Sequence, residues 1–322
     1  MTNERSPTIS VVVLSYNRPA YLAEALASVR AQTCAPCEVT VVDNPSPASE
    51  GVARVVERFE GFKLFRSRTN LGYAAGMNRG LERSAGEYTL LTEDDIVLDP
   101  DCLRRLVEYM ESDPETGISG PVIYNKTEGT IRCAAGEFEL GGVYRMKIHG
   151  EGERDRGQFA CPMRVGYIDG AVMFARTEFW RGLGGFREEF FMYGEAVELC
   201  AKAAKTGKAL TLVPQAKVYH FEPPPGANGS AEFAFHRYKN FFSLYLLHAP
   251  ARHLPEFVVR YVLLALVRAL AGRGGDARPL LRALGWTGRR VPSLLRERRR
   301  GGRRPPPRLR AGRAASSDSR PG

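Results

Sequence analysis

Residues Ile9 to Asp43 read ISVVVLSYNRPAYLAEALASVRAQTCAPCEVTVVD, and their pattern defines the class of fold. Ile9 to Leu14 is an apolar, β-branched run, which predicts a strand buried on both faces. Pro19 to Gln32 has apolar residues on one helical face, and a proline in the first turn favours the start of a helix. Val39 to Asp43 predicts a second buried strand. Two such strands joined by a helix form a parallel pair with a right-handed crossover.

The alternation of strand and helix signals continues to about residue 125. It predicts an α/β fold with a Rossmann-like, mostly parallel sheet flanked by helices. The further strands are predicted at Phe62–Phe65, Tyr88–Thr92 and Ile118–Tyr124, and the helices at Ala48–Phe59, Tyr73–Ser84 and Asp101–Ser112. Residues 127–164 are Gly-rich and charged, which predicts surface strands and a mobile loop. Regular structure is then predicted at Tyr167–Ala175, Glu195–Thr206, Ala209–Val213, Phe233–Leu247 and Pro255–Leu270.

The net charge of +10 is concentrated at one end of the chain. Residues 289–322 contain twelve arginines against one Glu and one Asp, which accounts for the whole net charge. With almost nothing apolar to bury, this tail is predicted to be disordered. The polar start MTNERSPTIS is unlike a secretory signal, and no apolar run reaches the roughly 20 residues of a membrane span. A cytoplasmic location is therefore expected.

Ligands of open α/β sheets bind beyond the carboxyl ends of the strands. Three such ends carry polar residues here: Ser15 to Arg18, Asp43-Asn44, and Glu93-Asp94-Asp95. Neither GxGxxG after the first strand nor GxxxxGK[ST] is present, which argues against a dinucleotide or ATP-type site. Glu93 and Asp95 point to the same side of an extended chain, so a cation such as Mg²⁺ or Mn²⁺ is expected between them. A solvated acidic turn is the alternative interpretation.

Three further features have a functional and a structural interpretation. Asp43 is either a hydrogen-bond acceptor for a nucleobase or ribose, or a turn former in Asp43-Asn44-Pro45. Glu195 and Glu198 share a helix face, where one is a general base or both are acids stabilised by the helix dipole. His220 follows an apolar strand. It is either a metal or phosphate ligand, or a structural histidine.

Five ordered motifs together resemble family 2 glycosyltransferases of the GT-A fold, and most of all their bacterial rhamnosyltransferase-like branch. The motifs are SYNRP, VVDN, RTNLGYAAGMNRGLERSAGEYTLLTEDDIVLDP, GYIDGAVMFARTEFWRGLGGFREEFFMYGEAVELCAKAAKTGK and VYH. The resemblance covers about residues 8–248. It implies an inverting transfer from a UDP- or dTDP-linked sugar, possible donors including rhamnose, to a hydroxyl of a glycan or lipid-linked acceptor. A surface polysaccharide or glycolipid of the cell wall is the expected product.

The resemblance also implies roles for individual residues. Asp95, Glu93 and His220 would hold Mg²⁺ or Mn²⁺, and Asp169 and Gly170 would shape the donor and acceptor pocket. The nucleotide side of the donor would be bound by nine residues: Ser15, Tyr16, Asn17, Arg18, Asp43, Asn70, Gly72, Asn78 and Asp94. A bound divalent ion stabilises the departing diphosphate, while a carboxylate deprotonates the attacking hydroxyl.

One departure from the family pattern concerns the base. The family usually has Glu-Asp where this chain has Glu195-Ala196, and an alanine cannot accept a proton. We therefore expect Glu195 to be the base, with Glu198 as the substitute. The alternative is a catalytically weak or inactive scaffold protein that binds sugar nucleotides. A nucleotidyltransferase is disfavoured, because the usual Gly-rich loop with a basic residue is missing after the first strand.

The predicted organisation has three parts. Residues 1–248 form the GT-A catalytic domain, with a nucleotide-binding half at about 8–125 and an acceptor half at 126–248. Residues 249–288 form a C-terminal helical appendage, and 289–322 form the disordered tail. Apolar residues with Arg260 and Arg268, followed by the basic tail, suggest peripheral contact with an anionic membrane, at the inner face of the plasma membrane. The alternative is a helix that packs on the catalytic domain, followed by a solvated tail. No nucleic-acid partner is expected, because the tail has no aromatic residues.

Overall fold

The computed structural model describes residues 7–141, 144–221, 230–263, 266–267 and 277–300. The first part alternates strands and helices, as the sequence predicts. Its elements are β1 Ile9–Ser15, α1 Pro19–Arg30, β2 Glu38–Asp43, α2 Ser49–Glu57, β3 Lys63–Arg66, α3 Gly72–Leu81, β4 Tyr88–Glu93, β5 Ile96–Leu98, α4 Cys102–Ser112 and β6 Thr116–Asn125.

The second part adds short strands before it returns to helices. Its elements are β7 Ile131–Cys133, β8 Ala135–Leu140, β9 Tyr144–His149, β10 Met163–Val165, β11 Val172–Arg176, α5 Thr177–Leu183, α6 Glu195–Ala204, β12 Ala209–His220 and α7 Ala231–His248. A 3₁₀ turn Ala251–His253, α8 Leu254–Phe257, a π-helical turn Val258–Leu263 and α9 Arg278–Arg300 follow.

The main sheet has the strand order β3-β2-β1-β4-β11-β6-β12-β10. β1 is parallel to β2 and β4, β2 is parallel to β3, and β6 is parallel to β12. β11 is antiparallel to β4 and β6, so it reverses the direction in the middle of the sheet. The predicted mostly parallel α/β sheet is thus confirmed, and the carboxyl ends of β1, β2 and β4 lie side by side.

Alternate residues of the central strands pack helices on opposite faces of this sheet. Ile9, Val11 and Val13 of β1 belong to the core that includes residues of α1, α2 and α4. Val12 and Leu14 belong to the other core, with residues of α3, α5, α6 and α7. Both sets are almost fully inaccessible. A strand buried on both faces requires an unbroken apolar sequence, which is what ISVVVL supplies.

Two elements near the edge of the sheet extend beyond the predictions. The sequence predicts strands at Ala209–Val213 and from Val213 to Tyr219, and the structure joins them in β12, which runs to His220 with a register irregularity between Leu212 and Lys217. Pro214 lies in that irregular stretch, where it interrupts the ladder without ending the strand. The final residues of β12 pair with β5, a strand that the sequence does not predict, and His220 lies opposite Ile96.

The predicted disorder from residue 289 is wrong for residues 289–300. These residues belong to α9, which packs against α7. Leu280, Ala283 and Leu294 are buried on one side of α9, so its apolar residues have a partner despite the many arginines. Residues 301–322 lie outside the described residues, as do 264–265 and 268–270 of the predicted helix Pro255–Leu270. In the described part of the chain, no helix has the length and apolarity needed to span a bilayer.

Candidate functional site

The acidic triplet lies where the central strand β4 reaches the carboxyl edge of the sheet. Glu93 ends β4, Asp94 and Asp95 form the turn, and β5 begins at Ile96. Asp94 and Asp95 are 1% and 2% exposed, so the triplet is not the solvated turn of the alternative interpretation. Burying carboxylates at this density is unfavourable unless positive charge lies close by.

His220 completes a group of three potential metal ligands. The pairing of β12 with β5 places His220 beside the triplet, and the backbone N–H of Phe221 donates to the carbonyl of Asp95 at 3.0 Å. One ligand atom each from Glu93, Asp95 and His220 lies within 4.8 Å of the others. This group therefore unites β4, the turn that follows it, and the far end of β12.

The donor set fits a divalent cation. Asp95 Oδ1 is buried and accepts no hydrogen bond within the described residues, although His220 Nε2 lies 3.2 Å from it. An acceptor left unsatisfied in the interior is unfavourable, and a cation would satisfy it. Carboxylate and imidazole ligands together suit Mn²⁺, while carboxylates alone also suit Mg²⁺.

Arg18 provides positive charge from the loop after β1. Its guanidinium contacts Asp95, and its Nε lies 3.6 Å from Asp94 Oδ1. Asp94 also accepts hydrogen bonds from Ser15 Oγ at 2.9 Å and from the backbone N–H of Tyr16 at 3.0 Å. Even so, burial raises the pKa of Asp94 to about 7. Burial, together with the charge of Asp95, raises the pKa of Glu93 well above its ordinary value.

Asp95 has the opposite shift. Burial acts to raise its pKa, but the contact with His220 and the charge of Arg18 outweigh that effect and lower it. The pKa of Asp95 is therefore lowered, whereas burial raises the pKa values of Glu93 and Asp94. A buried carboxylate next to an imidazole is an arrangement expected of metal ligands.

Asp43 lies fully buried at the end of β2 and is held on two sides. Its Oδ2 accepts from Arg66 Nε at 2.8 Å, and its Oδ1 accepts from Ser49 Oγ at 3.2 Å. Its neighbour Asn44 bridges the backbone N–H of Leu71 and the carbonyl of Gly72. The side chains of Asp43 and Asn44 thus hold the neighbouring segments at this edge of the sheet in place through hydrogen bonds.

Gly72 is at a position where only glycine fits. Its φ of +74° lies in the left-handed region, and a Cβ there would overlap the carbonyl oxygen and ring of Phe191. Asn70 Oδ1 accepts from the N–H of Gly72 at 2.8 Å. The N–H of Tyr73 in turn donates to the carbonyl of Phe191 at 2.7 Å. The start of α3 is therefore packed tightly against residues 190–193.

That segment delivers Glu195 to the site. Tyr193 and Gly194 both have positive φ, +65° and +88°, and Asn240 Nδ2 binds the carbonyls of Met192 and Tyr193 at 2.8 and 2.7 Å. α6 begins immediately afterwards, with Glu195 8% exposed and its Oε2 without a partner among the described residues. Burial raises the pKa of Glu195 to about 8.

Tyr73 connects the predicted pocket residues to Glu195 and was not predicted. Its hydroxyl donates to the carbonyl of Gly170, and the charges of Glu93, Glu195 and Asp169 all help to raise its pKa, after burial. These three carboxylates are therefore close enough to Tyr73 to influence its pKa. Gly170 lies against α6, since a Cβ on it would be 3.1 Å from the Cβ of Ala196.

The sequence of the chain was compared with known proteins. Residues 10–171 match the family model described as glycosyl transferase family 2. The chain belongs to glycosyl transferase family 2. This glycosyltransferase is 25% identical over 259 residues to N-acetylglucosaminyl-diphospho-decaprenol L-rhamnosyltransferase of Mycobacterium tuberculosis strain CDC 1551 / Oshkosh, covering 73% of this chain and 83% of that protein. An uncharacterized glycosyltransferase of Haemophilus influenzae is 23% identical over 150 residues, covering 45% of this chain and 46% of that protein.

Solved structures give the same fold. GalNAc-T7 with UDP, GalNAc and Mn²⁺ superposes on the glycosyltransferase with a TM-score of 0.64 at 17% identity, covering 95% of this chain. The chain spans 60% of the length of that protein. TarS of S. aureus gives a TM-score of 0.54 at 18% identity, covering 92% of this chain and 88% of TarS. The predicted GT-A architecture is thereby confirmed.

Two predicted site residues of the glycosyltransferase have other partners. Asn78 is 2% exposed, and its amide donates to the carbonyl of Phe186 at 2.9 Å and accepts from the N–H of Phe186 at 2.8 Å. It therefore ties α3 to residue 186, and its contact with a donor stays a prediction. Glu198 accepts from His248 Nε2 at 3.1 Å and lies 3.6 Å from Arg187 Nε. Lys202 and these groups hold its pKa far below the ordinary value despite burial, which disfavours the predicted role of Glu198 as a substitute base.

Proposed function

We propose that this glycosyltransferase moves a sugar from a nucleotide-diphosphate sugar to an acceptor hydroxyl, with inversion and with Mn²⁺ or Mg²⁺ as cofactor. The observation that carries the proposal is the convergence of Glu93, Asp95 and His220 within 4.8 Å, with one buried oxygen of Asp95 unsatisfied. Held by these residues, a divalent ion supplies charge that offsets the departing diphosphate. Arg18 adds a second positive charge at the same edge of the sheet.

The nucleotide half of the donor is proposed to lie along the ends of β1 and β2. Ser15, Tyr16 and Asn17 form the loop after β1, and Asn17 has a positive φ of +62°, which turns the backbone towards this edge. Asp43 has no exposed surface of its own in this arrangement, so it contacts a nucleobase only as the adjoining loops move apart. Asn70 and Gly72 are proposed to border the same space from the start of α3.

The acceptor is proposed to be a glycan or lipid-linked hydroxyl, and the donor a UDP- or dTDP-linked sugar such as rhamnose. The support is the 25% identity with a mycobacterial protein named as an L-rhamnosyltransferase of a diphospho-decaprenol acceptor. The alignment reaches 83% of that relative, so it includes both halves of the catalytic domain. Asp169 and Gly170, which lie between the triplet and α6, are proposed to border the sugar being transferred.

The test is calorimetric titration of UDP- and dTDP-sugars with and without Mn²⁺ or Mg²⁺, with product formation measured alongside. We expect binding to strengthen at least tenfold with metal, and Asp95→Asn to abolish that gain. Glu57→Gln, which removes an exposed carboxylate at the end of α2, is the matched control and should retain it. Nucleotide sugars that fail to bind under any metal condition contradict the proposal, whereas binding without product favours a scaffold protein.

We also propose peripheral contact with an anionic membrane through the C-terminal apolar patch, defined as the exposed side chains of Val258, Val259, Leu263 and Val267. They are 43%, 52%, 50% and 60% exposed. Val258, Val259 and Leu263 lie in the π-helical turn, and Val267 lies in the described residues 266–267. Arg260 lies among them, half exposed, and the arginines of residues 301–322 follow in the sequence. Apolar side chains flanked by basic ones are typical of membrane-surface segments.

A further inference from the structure

The proposed displacement requires a group that accepts the proton of the attacking hydroxyl. Four carboxylates near the sheet edge are already engaged. Asp94 binds Ser15 and the backbone of Tyr16, Asp43 binds Arg66 and Ser49, and Glu93 and Asp95 belong to the proposed metal site. Among the described residues, this leaves Glu195 and Asp169 facing the space next to Tyr73.

Glu195 is poorly suited to the task. Its side chain is 8% exposed, and its Oε2 is buried without a hydrogen-bond partner among the described residues. Its raised pKa of about 8 also keeps it protonated at neutral pH, because no positively charged group compensates for its burial. A protonated carboxyl can donate a hydrogen bond to a sugar, but it cannot accept a proton.

Asp169 is more exposed than Glu195, and its side chain is held in one orientation. It is half-buried, and its Oδ1 accepts from the N–H of Ala171 at 2.9 Å, which fixes the orientation of the side chain. Its Oδ2 accepts no hydrogen bond within the described residues. The turn that carries it is joined to the triplet, since the N–H of Glu93 donates to the carbonyl of Ala171 at 3.3 Å. Asp169 is therefore next to the proposed donor site, oriented, and accessible.

The neighbours of Asp169 fix its turn against the start of α6. A Cβ on Gly170 would lie 3.1 Å from the Cβ of Ala196 and 3.3 Å from the hydroxyl of Tyr73, so Gly170 packs closely against both. The hydroxyl of Tyr73 also donates to the carbonyl of Gly170. Asp169 is therefore held at a defined place beside the start of α6.

We propose that Asp169 is the catalytic base of the transfer, an assignment that rests on the proposed function. The acceptor oxygen forms a bond to the anomeric carbon and gives its proton to Asp169 Oδ2. The bond from the anomeric carbon to the phosphate oxygen breaks, and the diphosphate leaves with that electron pair. Glu195, in its protonated form, orients a hydroxyl of the substrate.

The experiment compares Asp169→Asn, Glu195→Gln and the double variant Asp169→Asn/Ala196→Asp with wild type, at saturating donor and over pH 5 to 9. Asn keeps the bond to Ala171, so we expect Asp169→Asn to lower kcat about 100-fold or more and to lose the acidic limb of the pH profile. Glu195→Gln should lower kcat less than about tenfold. Adding Ala196→Asp returns a carboxylate to the same space and should recover at least about tenfold of the lost rate.

Two results overturn the assignment. An Asp169→Asn enzyme that keeps the wild-type kcat has another base, and so does one that is slow but retains the acidic limb of the wild-type profile. Donor binding by calorimetry separates this outcome from a failure of the proposed function. If wild type binds and turns over a nucleotide sugar, only the base is misassigned; if wild type binds none, the proposed function itself is wrong.

Discussion

Glu195 and Glu198 lie one helical turn apart on α6, and their surroundings differ completely. Both are buried, but Glu198 has Arg187, Lys202 and His248 around it, whereas Glu195 has no cation. Burial alone raises a carboxyl pKa, and nearby positive charge lowers it. The same residue type, three positions apart, is therefore protonated in one case and ionised in the other at neutral pH.

The protonation of Glu195 predicts how stability depends on pH. Because its pKa rises from 4.5 to about 8 on folding, the folded state retains a proton that the unfolded chain releases. The free energy of unfolding should therefore fall as pH rises from about 4.5 to 8. Glu195→Gln mimics the protonated form, so it should match wild type at pH 5 and be more stable by roughly 2–4 kcal/mol at pH 9. Denaturation at pH 5, 7 and 9 measures the difference.

Glu198→Gln is the matched control, and it should behave in the opposite way. Removing its charge leaves Arg187, Lys202 and His248 without their buried counter-ion, which costs about 3–5 kcal/mol at neutral pH. A Glu195→Gln variant whose stability follows wild type at all three pH values would show that Glu195 is ionised in the folded protein.

These environments mark the limit of sequence reasoning about single residues. The spacing of Glu195 and Glu198 predicts that they share a helix face, but His248 comes from α7 and Arg187 from the segment before α6. Partners this distant in sequence leave no local signal. The triplet at Glu93 was predictable because its context, the end of an apolar strand, is itself local. Tyr73 was missed because nothing in its own segment distinguishes it from other helix residues.

Helix α9 shows the same contrast at the level of an element. Composition predicts disorder because arginines dominate, yet the spacing of Leu280, Ala283 and Leu294 provides one apolar side. The ionic contacts of α9 are also specific: Arg282 binds Glu232, and Arg298 donates to the carbonyl of Leu246 at 3.1 Å near the end of α7. Net charge takes no account of where the apolar residues lie in the sequence. Their spacing determines whether a helix has an apolar side that can pack.

We predict that α9 contributes to the stability of the whole fold. Leu294 is 2% exposed and Leu281 is 49% exposed on the same helix, so Leu→Ala at each position removes the same atoms from different environments. Leu294→Ala should lower the free energy of unfolding by about 2–4 kcal/mol, and Leu281→Ala by less than about 0.5 kcal/mol. Chemical denaturation measures both values. Equal effects of the two substitutions would mean that α9 does not pack as described.

At the scale of the molecule, the parallel strands of the first half were predictable from the sequence, but the position of β11 in the sheet was not. In each βαβ unit an apolar run predicts the strand and an amphipathic run predicts the helix. The apolar run is needed because the strand is buried on both faces. β11 does not belong to such a unit. It follows the short strands β7 to β10 in sequence and lies antiparallel between β4 and β6. Its partners β4 and β6 lie far from it in sequence, so its pairing leaves no local signal. The carboxyl edge, where the site lies, belongs to the predictable part.

The C-terminal apolar patch is a separate feature of the whole molecule. Val258, Val259, Leu263 and Val267 remain exposed although α8 beside them is anchored by Phe257, which is 3% exposed and stacks on Tyr245. The patch is thus presented by a segment that is fixed to the body at its start. An enzyme acting on a lipid-linked acceptor would gain from a surface that holds it at the bilayer, because both reactants then lie in one plane.

The membrane contact predicts a specific pattern in vesicle co-sedimentation. Wild type should bind vesicles containing anionic lipid and not neutral ones, and the binding should weaken with salt, since each basic side chain contributes about 1 kcal/mol near an anionic surface. Val259→Asp/Leu263→Asp should reduce the bound fraction at least about fivefold, whereas Leu64→Asp on edge strand β3 should not. The arginines are tested by truncation after Arg300, which leaves α9 whole, unlike a cut at residue 289. The proposal is contradicted if neither the patch substitutions nor the truncation changes binding, or if binding to neutral vesicles is equal. The patch would then be a surface for another partner.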